Sequence, residues 1–312
     1  MSDDKFSHPH PTLSQRERAF RKIALSTGVT LNVALAGPED APPVIFLHGF
    51  PESHRTWRGL VPLLEDRFRL VMPDQRGFGG SDAPAEVDAY RIDKIIADLF
   101  ALADALGIGS FALVGHDWGG AAAWAAAIKG DPRITRLTII NAPHPLIFQK
   151  SLIDNSEQRA ASQYMTLFRQ PGMEAAITAM GVGAFFDKSF RNHVDLATIP
   201  AGERDAYIAE WGRPGTMTGM LNWYRASPML VPAPGEEAVM PPCLLGDFPK
   251  IHIPVCVIWG MDDKALLPLQ LDGLEDLIDD VTIERLPGVG HFAPWQAPEQ
   301  VEAVLGPFLA GG

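Results

Sequence analysis

Three residues lie far apart in the chain, yet their types and order suit covalent chemistry: Asp117, Asp263 and His291. Asp117 is the middle residue of Gly115-His116-Asp117-Trp118-Gly119, set between the apolar run "FALVGH" and the alanine-rich run "GGAAAWAAAIKG". A glycine, any residue, a polar residue, any residue and a second glycine form the frame of a nucleophile elbow, where a strand turns sharply into a helix. The central residue is usually serine; here it is a carboxylate. The helix N-terminus, with its free N–H groups and positive dipole end, suits such a charge. It would equally suit an aspartate that only caps the helix. Partners in the order the elbow demands weigh against a mere cap. An acid follows in "WGMDDKALLP" and a histidine in "LPGVGHFAP", both in loops that open at the same sheet edge as Asp117. Asp263 is preferred to Asp262, because it stands three residues after Gly260 and five before Pro268.

Other short stretches carry less. In "FLHGFPES" a glycine-containing turn after a buried run would present the N–H of Phe50, alongside that of Trp118, to a developing oxyanion. His48 itself reads as part of an ordinary strand-to-helix turn. "PDQRGFGGSDAP" lacks a Lys-Ser/Thr pair after its glycines and reads as a packed turn, not a phosphate loop. "GIGSFA" precedes its strand, whereas a dinucleotide fingerprint follows one, so no nicotinamide or flavin cofactor is expected.

The elements that must position these residues alternate regularly. Phe20 to Leu25 and Val29 to Ala36, separated by "STG", read as an antiparallel hairpin. "PVIFLHG", "FRLVMPD", "FALVGH" and "ITRLTIINAP" read as buried strands, with helices at "WRGLVPLLED", at Ile92 to Leu106 and at "GGAAAWAAAIKG". This rhythm predicts an α/β fold with a mostly parallel sheet flanked by helices. It fails from about residue 144 to 253, a stretch rich in aromatic and helix-forming residues that closes in seven prolines between Pro228 and Pro254. An inserted, mainly helical cap and a stiff return segment are expected there. The expected organisation is thus a first core part over 1–143 with a flexible arm over about 1–15, a cap insertion and return segment over 144–253, and a second core part over 254–312. The last part carries "PVCVIWG" and "VTIERLPG" as strands, with "PLQLDGLEDLI" and "APEQVEAVLGPFL" as helices; Pro298 suits the first turn of the latter.

Composition narrows the partners. Hydrophobic residues at 46% and charged residues at 21% are ordinary for a globular protein, and no apolar run approaches the length of a membrane span. A net charge of −12 without a local basic stripe argues against nucleic acid and favours a small neutral ligand. The two cysteines, Cys243 and Cys256, cannot make a disulfide framework or a four-ligand zinc site; no metal is expected, and reduced thiols fit a cytoplasmic protein. His8 and His10 lie in a polar arm that reads as a tail. Either dimerisation or covering of the site would use the apolar cap surface, so a homodimer stays open.

"HGFPES", "DQRGFGGSD", "GHDWGG", "WGMDDKALLP" and "GVGHFAPW" together resemble the α/β-hydrolase superfamily, over roughly residues 20 to 310. Within it, the chain resembles the branch of epoxide hydrolases and haloalkane dehalogenases that use an aspartate nucleophile. What separates those two is how the leaving oxygen or halide is stabilised. Epoxide hydrolases of this branch use two cap tyrosines, one ahead of a Pro-Gly and one in an Asn-Trp-Tyr-Arg context; "SQYMTLFRQPG" with Tyr164 and "GMLNWYR" with Tyr224 match. Core packing of two tyrosines is the plain alternative. Haloalkane dehalogenases hold halide with the tryptophan after the nucleophile plus an asparagine in the "HG" turn or a cap tryptophan. Phe50 replaces that asparagine here, while Trp211 and Trp223 keep a cap tryptophan open. Fluoroacetate dehalogenases place arginines just after the nucleophile, and "WGGAAAW" has none.

The resemblance implies a cofactor-independent epoxide hydrolase acting on a small neutral apolar epoxide and water. Asp117 would attack, His291 oriented by Asp263 would activate water, Tyr164 and Tyr224 would hold the ring oxygen, and the Phe50 and Trp118 N–H groups would form the oxyanion hole. Phe50, Trp118, Phe168 and Trp223 would wall the substrate. The runner-up is a haloalkane dehalogenase; an idle fold binding a small apolar ligand is a third reading, disfavoured because binding alone requires no distant acid and base.

Overall fold

The computed structural model describes residues 19–245 and 248–311 of the chain, so the N-terminal arm, with His8 and His10, lies outside the described residues. Strands β1 (Ala19–Ala24) and β2 (Thr30–Ala36) form the expected antiparallel hairpin. Strands β3 (Pro43–Leu47), β4 (Arg69–Pro73), β5 (Phe111–His116), β6 (Ile134–Ile140), β7 (Val255–Gly260) and β8 (Val281–Leu286) complete an eight-stranded sheet in the order β1-β2-β4-β3-β5-β6-β7-β8. β2 meets β4 antiparallel, and every pairing from β4 to β8 is parallel. The central strands are apolar throughout because both their faces are covered. On β3, Val44 and Phe46 pack into one layer while Ile45 and Leu47 pack into the other, the two-residue period of a pleated strand.

The helices are α1 (Val61–Leu64), α2 (Ile92–Ala105), α3 (Trp118–Ile128), α4 (Pro145–Asp154), α5 (Ser156–Ala161), α6 (Gln163–Phe168), α7 (Met173–Met180), α8 (Val182–Phe190), α9 (Ala201–Trp211), α10 (Thr216–Ala226), α11 (Ala293–Gln296) and α12 (Pro298–Ala310). α2 and α3 cover one face of the sheet through Ile95, Leu99, Ala122 and Ala126, and α1 and α12 cover the other through Val61, Leu64, Val301 and Leu305. Between β6 and β7 the described residues hold α4 to α10 and no strand. Pro298 starts α12, as expected of a residue that lacks the N–H a first turn would leave without a partner.

Two expected helices are shorter than the sequence pattern suggests. "WRGLVPLLED" forms a 3-10 turn, His54–Gly59, and then the four-residue α1, because Pro62 removes a donor in the first turn and prevents one continuous helix. "PLQLDGLEDLI" forms two 3-10 turns, Pro268–Leu271 and Leu274–Asp276, split at Gly273, whose φ of 83° is left-handed. The "PDQRGFGGSDAP" stretch is the packed turn expected. Buried Asp74 accepts the Gly80 N–H at 2.8 Å and the His54 N–H at 2.9 Å, and a Cβ on Gly79 would lie 2.3 Å from Asp74 Oδ2.

The start of α3 is held against the sheet backbone to backbone. A Cβ on Gly119 would lie 2.0 Å from the Leu47 carbonyl oxygen, and one on Gly120 would lie 2.2 Å from the Ala142 Cβ. The glycines of the elbow are therefore a packing requirement: any side chain there pushes α3 away from β3 and moves Asp117 with it. Gly119→Ala is accordingly expected to lower the urea midpoint, at a cost of about 3 kcal/mol for a clash against fixed backbone. Gly202→Ala, in α9 where an added Cβ meets nothing within 4 Å, is expected to be neutral or slightly stabilising. Equal midpoints for the two variants would contradict this account of the elbow.

Candidate active site

Asp117 stands where β5 ends and α3 begins, with a φ of 50° that a non-glycine residue rarely adopts. This strained turn projects the carboxylate off the sheet edge. The same geometry keeps Asp117 from capping α3: its side chain makes no cap hydrogen bond. Instead its Oδ1 accepts the Phe50 N–H at 2.7 Å, and its Oδ2 lies 3.6 Å from His291 Nε2. One oxygen is thus fixed by a backbone donor while the other faces an imidazole.

His291 follows β8, as expected, and its Nδ1–H donates to Asp263 Oδ2 at 2.7 Å. Asp263 is buried, whereas Asp262 is exposed, and it is Asp263 that meets His291. Asp263 Oδ1 accepts the N–H groups of Ala265 and Leu266 at 2.9 and 3.0 Å. Its Oδ2 also accepts from Asn141 Nδ2 at 2.8 Å. Asn141, at the end of β6 with a φ of 43°, returns its own Oδ1 to the Gly260 N–H at 2.9 Å. It therefore fixes both the acid and the strand end that carries it. Sequence reasoning missed this residue, since it sits in "IINAP" with no motif around it.

The charges follow from this arrangement. Burial pushes the Asp117 carboxyl above the usual aspartate range, opposed by the charge of His291 and by the Phe50 and Trp118 N–H groups. Burial acts the same way on Asp263, but His291 and the backbone donors outweigh it and hold that carboxyl below the usual range. Burial works against the His291 proton too; Asp263, Asp117 and Glu52 overcome it and push the imidazole up to about 9.

A second missed group lies behind His291. His116 donates its Nε2–H to the His291 carbonyl at 2.8 Å, leaving Nδ1 3.8 Å from Glu52 Oε2. Glu52, fully buried in the "HGFPES" turn, accepts from Tyr207 at 3.0 Å and Trp295 at 2.8 Å, and burial raises its carboxyl pKa. His48 plays the structural part expected of it: its Nδ1–H donates to the Gly49 carbonyl at 2.9 Å, and its Nε2 accepts the Gln75 N–H at 3.0 Å.

Facing Asp117 across the cavity are Tyr164 on α6 and Tyr224 on α10, with ring centroids 6.0 Å apart. Burial and the charge of Asp117 hold both phenols well above their usual range, so they stay protonated donors at any physiological pH. Each neighbour of Tyr224 in "NWYR" serves its placement. Asn222 Nδ2 donates to the Ala85 carbonyl at 3.1 Å, Trp223 Nε1 to the Arg76 carbonyl at 3.0 Å, and Arg225 pairs with Glu174 on α7. Gly219 presses α10 onto Gly77 so closely that a Cβ would lie 2.6 Å from the Gly77 Cα. Arg169, at the end of α6, donates to the Tyr224 carbonyl at 2.9 Å and so braces the two tyrosine-bearing helices together. Arg169 too was invisible in the sequence.

The expected wall residues all line cavity. Phe50 and Phe168 border a space of about 500 Å³, with Phe50 against the rings of Phe168 and Tyr224 at 5.1 and 5.0 Å; Trp118 and Trp223 border one of about 360 Å³. Trp211 borders neither. Its Nε1 donates to the Pro51 carbonyl at 2.8 Å, which ties α9 to the "HGFPES" turn. Among the described residues no group of three or more His, Cys, Asp or Glu side chains could hold a metal ion, and no helix is long and apolar enough to cross a membrane.

The alpha/beta hydrolase fold family matches residues 42–298 of the chain. The chain is 34% identical over 244 residues to the AB hydrolase superfamily protein YfhM of Bacillus subtilis, covering 77% of this chain and 80% of that protein. It is 31% identical over 322 residues to Epoxide hydrolase A of Mycobacterium tuberculosis, covering 93% and 97%. Among solved structures, one described among novel epoxide hydrolases from metagenomes of hot environments superposes with a TM-score of 0.87 at 47% identity, covering 95% of this chain and all of that one. With its sheet order, its elbow and these similarities in view, the chain belongs to the α/β-hydrolase superfamily, in the epoxide hydrolase branch.

Proposed function

We propose that this chain hydrolyses epoxides to vicinal diols through a covalent ester on Asp117. The observation that carries this reading is the placement of two protonated tyrosines opposite a carboxylate nucleophile, in one cavity. Relatives that share most of the chain's length are named epoxide hydrolases, which supports it. In the first step Asp117 Oδ2 attacks a ring carbon, the carbon–oxygen bond of the ring breaks, and Tyr164 or Tyr224 gives its proton to the departing oxygen. In the second, His291 takes a proton from water, whose oxygen attacks the ester carbonyl carbon. The Phe50 and Trp118 N–H groups stabilise the charge on Oδ1. Collapse breaks the ester bond, the second proton of the water passes to the leaving alkoxide, and His291 returns its proton to the tyrosinate. One epoxide and one water give one diol, with the enzyme restored. A carboxylate is needed because an epoxide has no carbonyl to acylate.

The haloalkane dehalogenase reading is weakened by hydrogen bonding in the cap. The N–H groups of Trp211 and Trp223 are both committed to backbone carbonyls, of Pro51 and Arg76, so neither is left for a halide. Incubation with an aryl epoxide and with a panel of 1-haloalkanes separates the readings: diol without halide release is expected, and halide release without diol would overturn the proposal.

Two further outcomes follow from the roles above. Tyr164→Phe and Tyr224→Phe should each slow ring opening, and the double variant should reduce it by about 10²- to 10⁴-fold, the usual worth of general acid catalysis. Near-normal turnover by the folded double variant, measured as diol formed, would refute the tyrosine role. The pH dependence should differ between the two steps. Attack needs ionised Asp117, whose pKa burial raises, so kcat/KM should fall with falling pH at a value above the ordinary aspartate pKa of about 4. Ester hydrolysis needs neutral His291, whose proton is held to about 9 in the free protein partly by the Asp117 charge. Esterification removes that charge, so the hydrolysis rate should rise with pH through an apparent pKa below 9. Stopped-flow single turnovers resolve both steps; a hydrolysis rate flat from pH 5 to 9 would contradict His291 as base.

A further inference from the structure

Tyr164 and Tyr224 are registered to different loops of the sheet edge. Tyr224 is set by Gly219, Asn222 and Trp223 against the segment that follows β4. Tyr164 makes no hydrogen bond of its own among the described residues, so its place depends on what fixes α6. A single residue, Ser162, joins α5 to α6 and stands two positions before Tyr164. Gln158, on α5, is fully buried, and its amide uses both donors and accepts twice. Its Nε2 donates to Ser162 Oγ at 2.9 Å and to the Ala265 carbonyl at 2.8 Å. Its Oε1 accepts the Leu267 N–H at 2.8 Å and Gln270 Nε2 at 3.1 Å. Gln270, fully buried as well, also donates to Ser151 Oγ on α4 at 2.7 Å. The peptide between Ala265 and Leu266 is thus shared: its carbonyl takes the Gln158 proton, while its N–H, that of Leu266, donates to Asp263 Oδ1 at 3.0 Å. An unbroken path of hydrogen bonds runs from His291 through Asp263, that peptide and Gln158 to Ser162. The residue type is specified by its partners. A glutamate could not donate to the Ala265 carbonyl, and an apolar side chain would leave that carbonyl and the Leu267 N–H without a partner.

Resting on the epoxide reading, we propose that Gln158 is a positioning residue for ring opening: it places the Tyr164 hydroxyl by locking the junction of α5 and α6 onto the loop that carries Asp263. Ring opening needs the phenol and the attacking carboxylate aligned on one epoxide at once, and a misplacement of about 1 Å can cost roughly 10²-fold. Arg169 joins the far end of α6 to the Tyr224 carbonyl, but α10 has its own fastening to the segment after β4. The influence of Gln158 on rate therefore passes through Tyr164 and not through Tyr224.

The test is a double-mutant cycle on the full chain, with ester formation from an aryl epoxide followed in single turnovers. Gln158→Met keeps the side chain's length and removes its hydrogen bonds. It is expected to slow ester formation about tenfold in the otherwise unchanged chain and in the Tyr224→Phe background, but less than about twofold with Tyr164→Phe, where the hydroxyl to be placed is gone. Ser162→Ala, which removes one hydrogen bond of the amide and keeps the rest, should show the same pattern at about threefold, and it decides the matter if Gln158→Met does not fold. Gln149→Met controls for a purely structural amide. Gln149, on α4, accepts the Leu230 N–H at 2.8 Å and donates to the Leu230 carbonyl at 3.0 Å, so its loss should lower the urea midpoint and leave ester formation unchanged. A loss that persists at full size with Tyr164→Phe, no loss in the folded Gln158 and Ser162 variants, or an equal loss with Gln149→Met overturns this proposal while leaving the epoxide reading intact. Neither ester nor diol from the unaltered chain with any epoxide offered would overturn both.

Discussion

Two carboxylates and one imidazole are buried together at the carboxyl edge of the sheet, and the rest of the molecule is arranged to make that tolerable. An isolated buried charge costs many kcal/mol, and removing one partner of a buried pair typically costs about 3–5 kcal/mol. Asp263 meets the cost with three N–H donors in addition to His291. Asp117 is less well served, with the Phe50 N–H on one oxygen and His291 at 3.6 Å from the other. That asymmetry separates the roles. In the proposed mechanism the fully hydrogen-bonded acid, held below the usual aspartate range, orients the histidine, while the partly satisfied one keeps an oxygen free to attack.

Those donors come from beyond the ends of four strands. Phe50 follows β3, Asn141 ends β6, Ala265 and Leu266 lie beyond β7, and His291 lies beyond β8, so the parallel order of the strands is what brings their ends to one place. The cap is fastened to the same loops. Tyr207 reaches Glu52, Trp211 reaches the Pro51 carbonyl, and Gln158 on α5 bonds the Ala265 carbonyl and the Leu267 N–H at 2.8 Å each. A displacement of the cap would therefore disturb the neighbours of Asp117. The tyrosines are fixed relative to Asp117 by contacts of the helices that carry them, Gly219 on Gly77 and Arg169 on the Tyr224 carbonyl, and the Tyr224 hydroxyl also has a hydrogen-bond interaction with the Trp118 side chain.

Much of this was legible in the chain because its signals are local. A glycine frame between an apolar and an alanine-rich run marks the elbow, and buried parallel strands announce themselves as continuous apolar runs. Asp117, Asp263 and His291 could be ordered along the sequence because each follows such a run. Asn141 could not be found, since its partners Gly260 and Asp263 lie 119 and 122 residues away and meet it only through the β6–β7 pairing. Glu52 stood in a recognised motif, yet nothing local distinguishes a buried acid from an exposed one after a proline. The two over-long helices failed at Pro62 and Gly273, where one backbone-restricting residue outweighed good periodicity. The two cavities beside Asp117 are products of packing between the cap helices and the loops of the sheet edge, and no single segment encodes them.

The central claim is that Asp117 forms an ester in which the whole epoxide is retained. His291→Gln should allow the ester to form but hydrolyse it slowly, and intact-mass spectrometry after exposure to an aryl epoxide then reads the enzyme's mass directly. The account predicts a gain equal to the entire epoxide, located on Asp117 and absent from the same variant carrying Asp117→Asn. An unchanged mass with every epoxide offered, or a gain from an alkyl halide equal to its alkyl group alone, would contradict it.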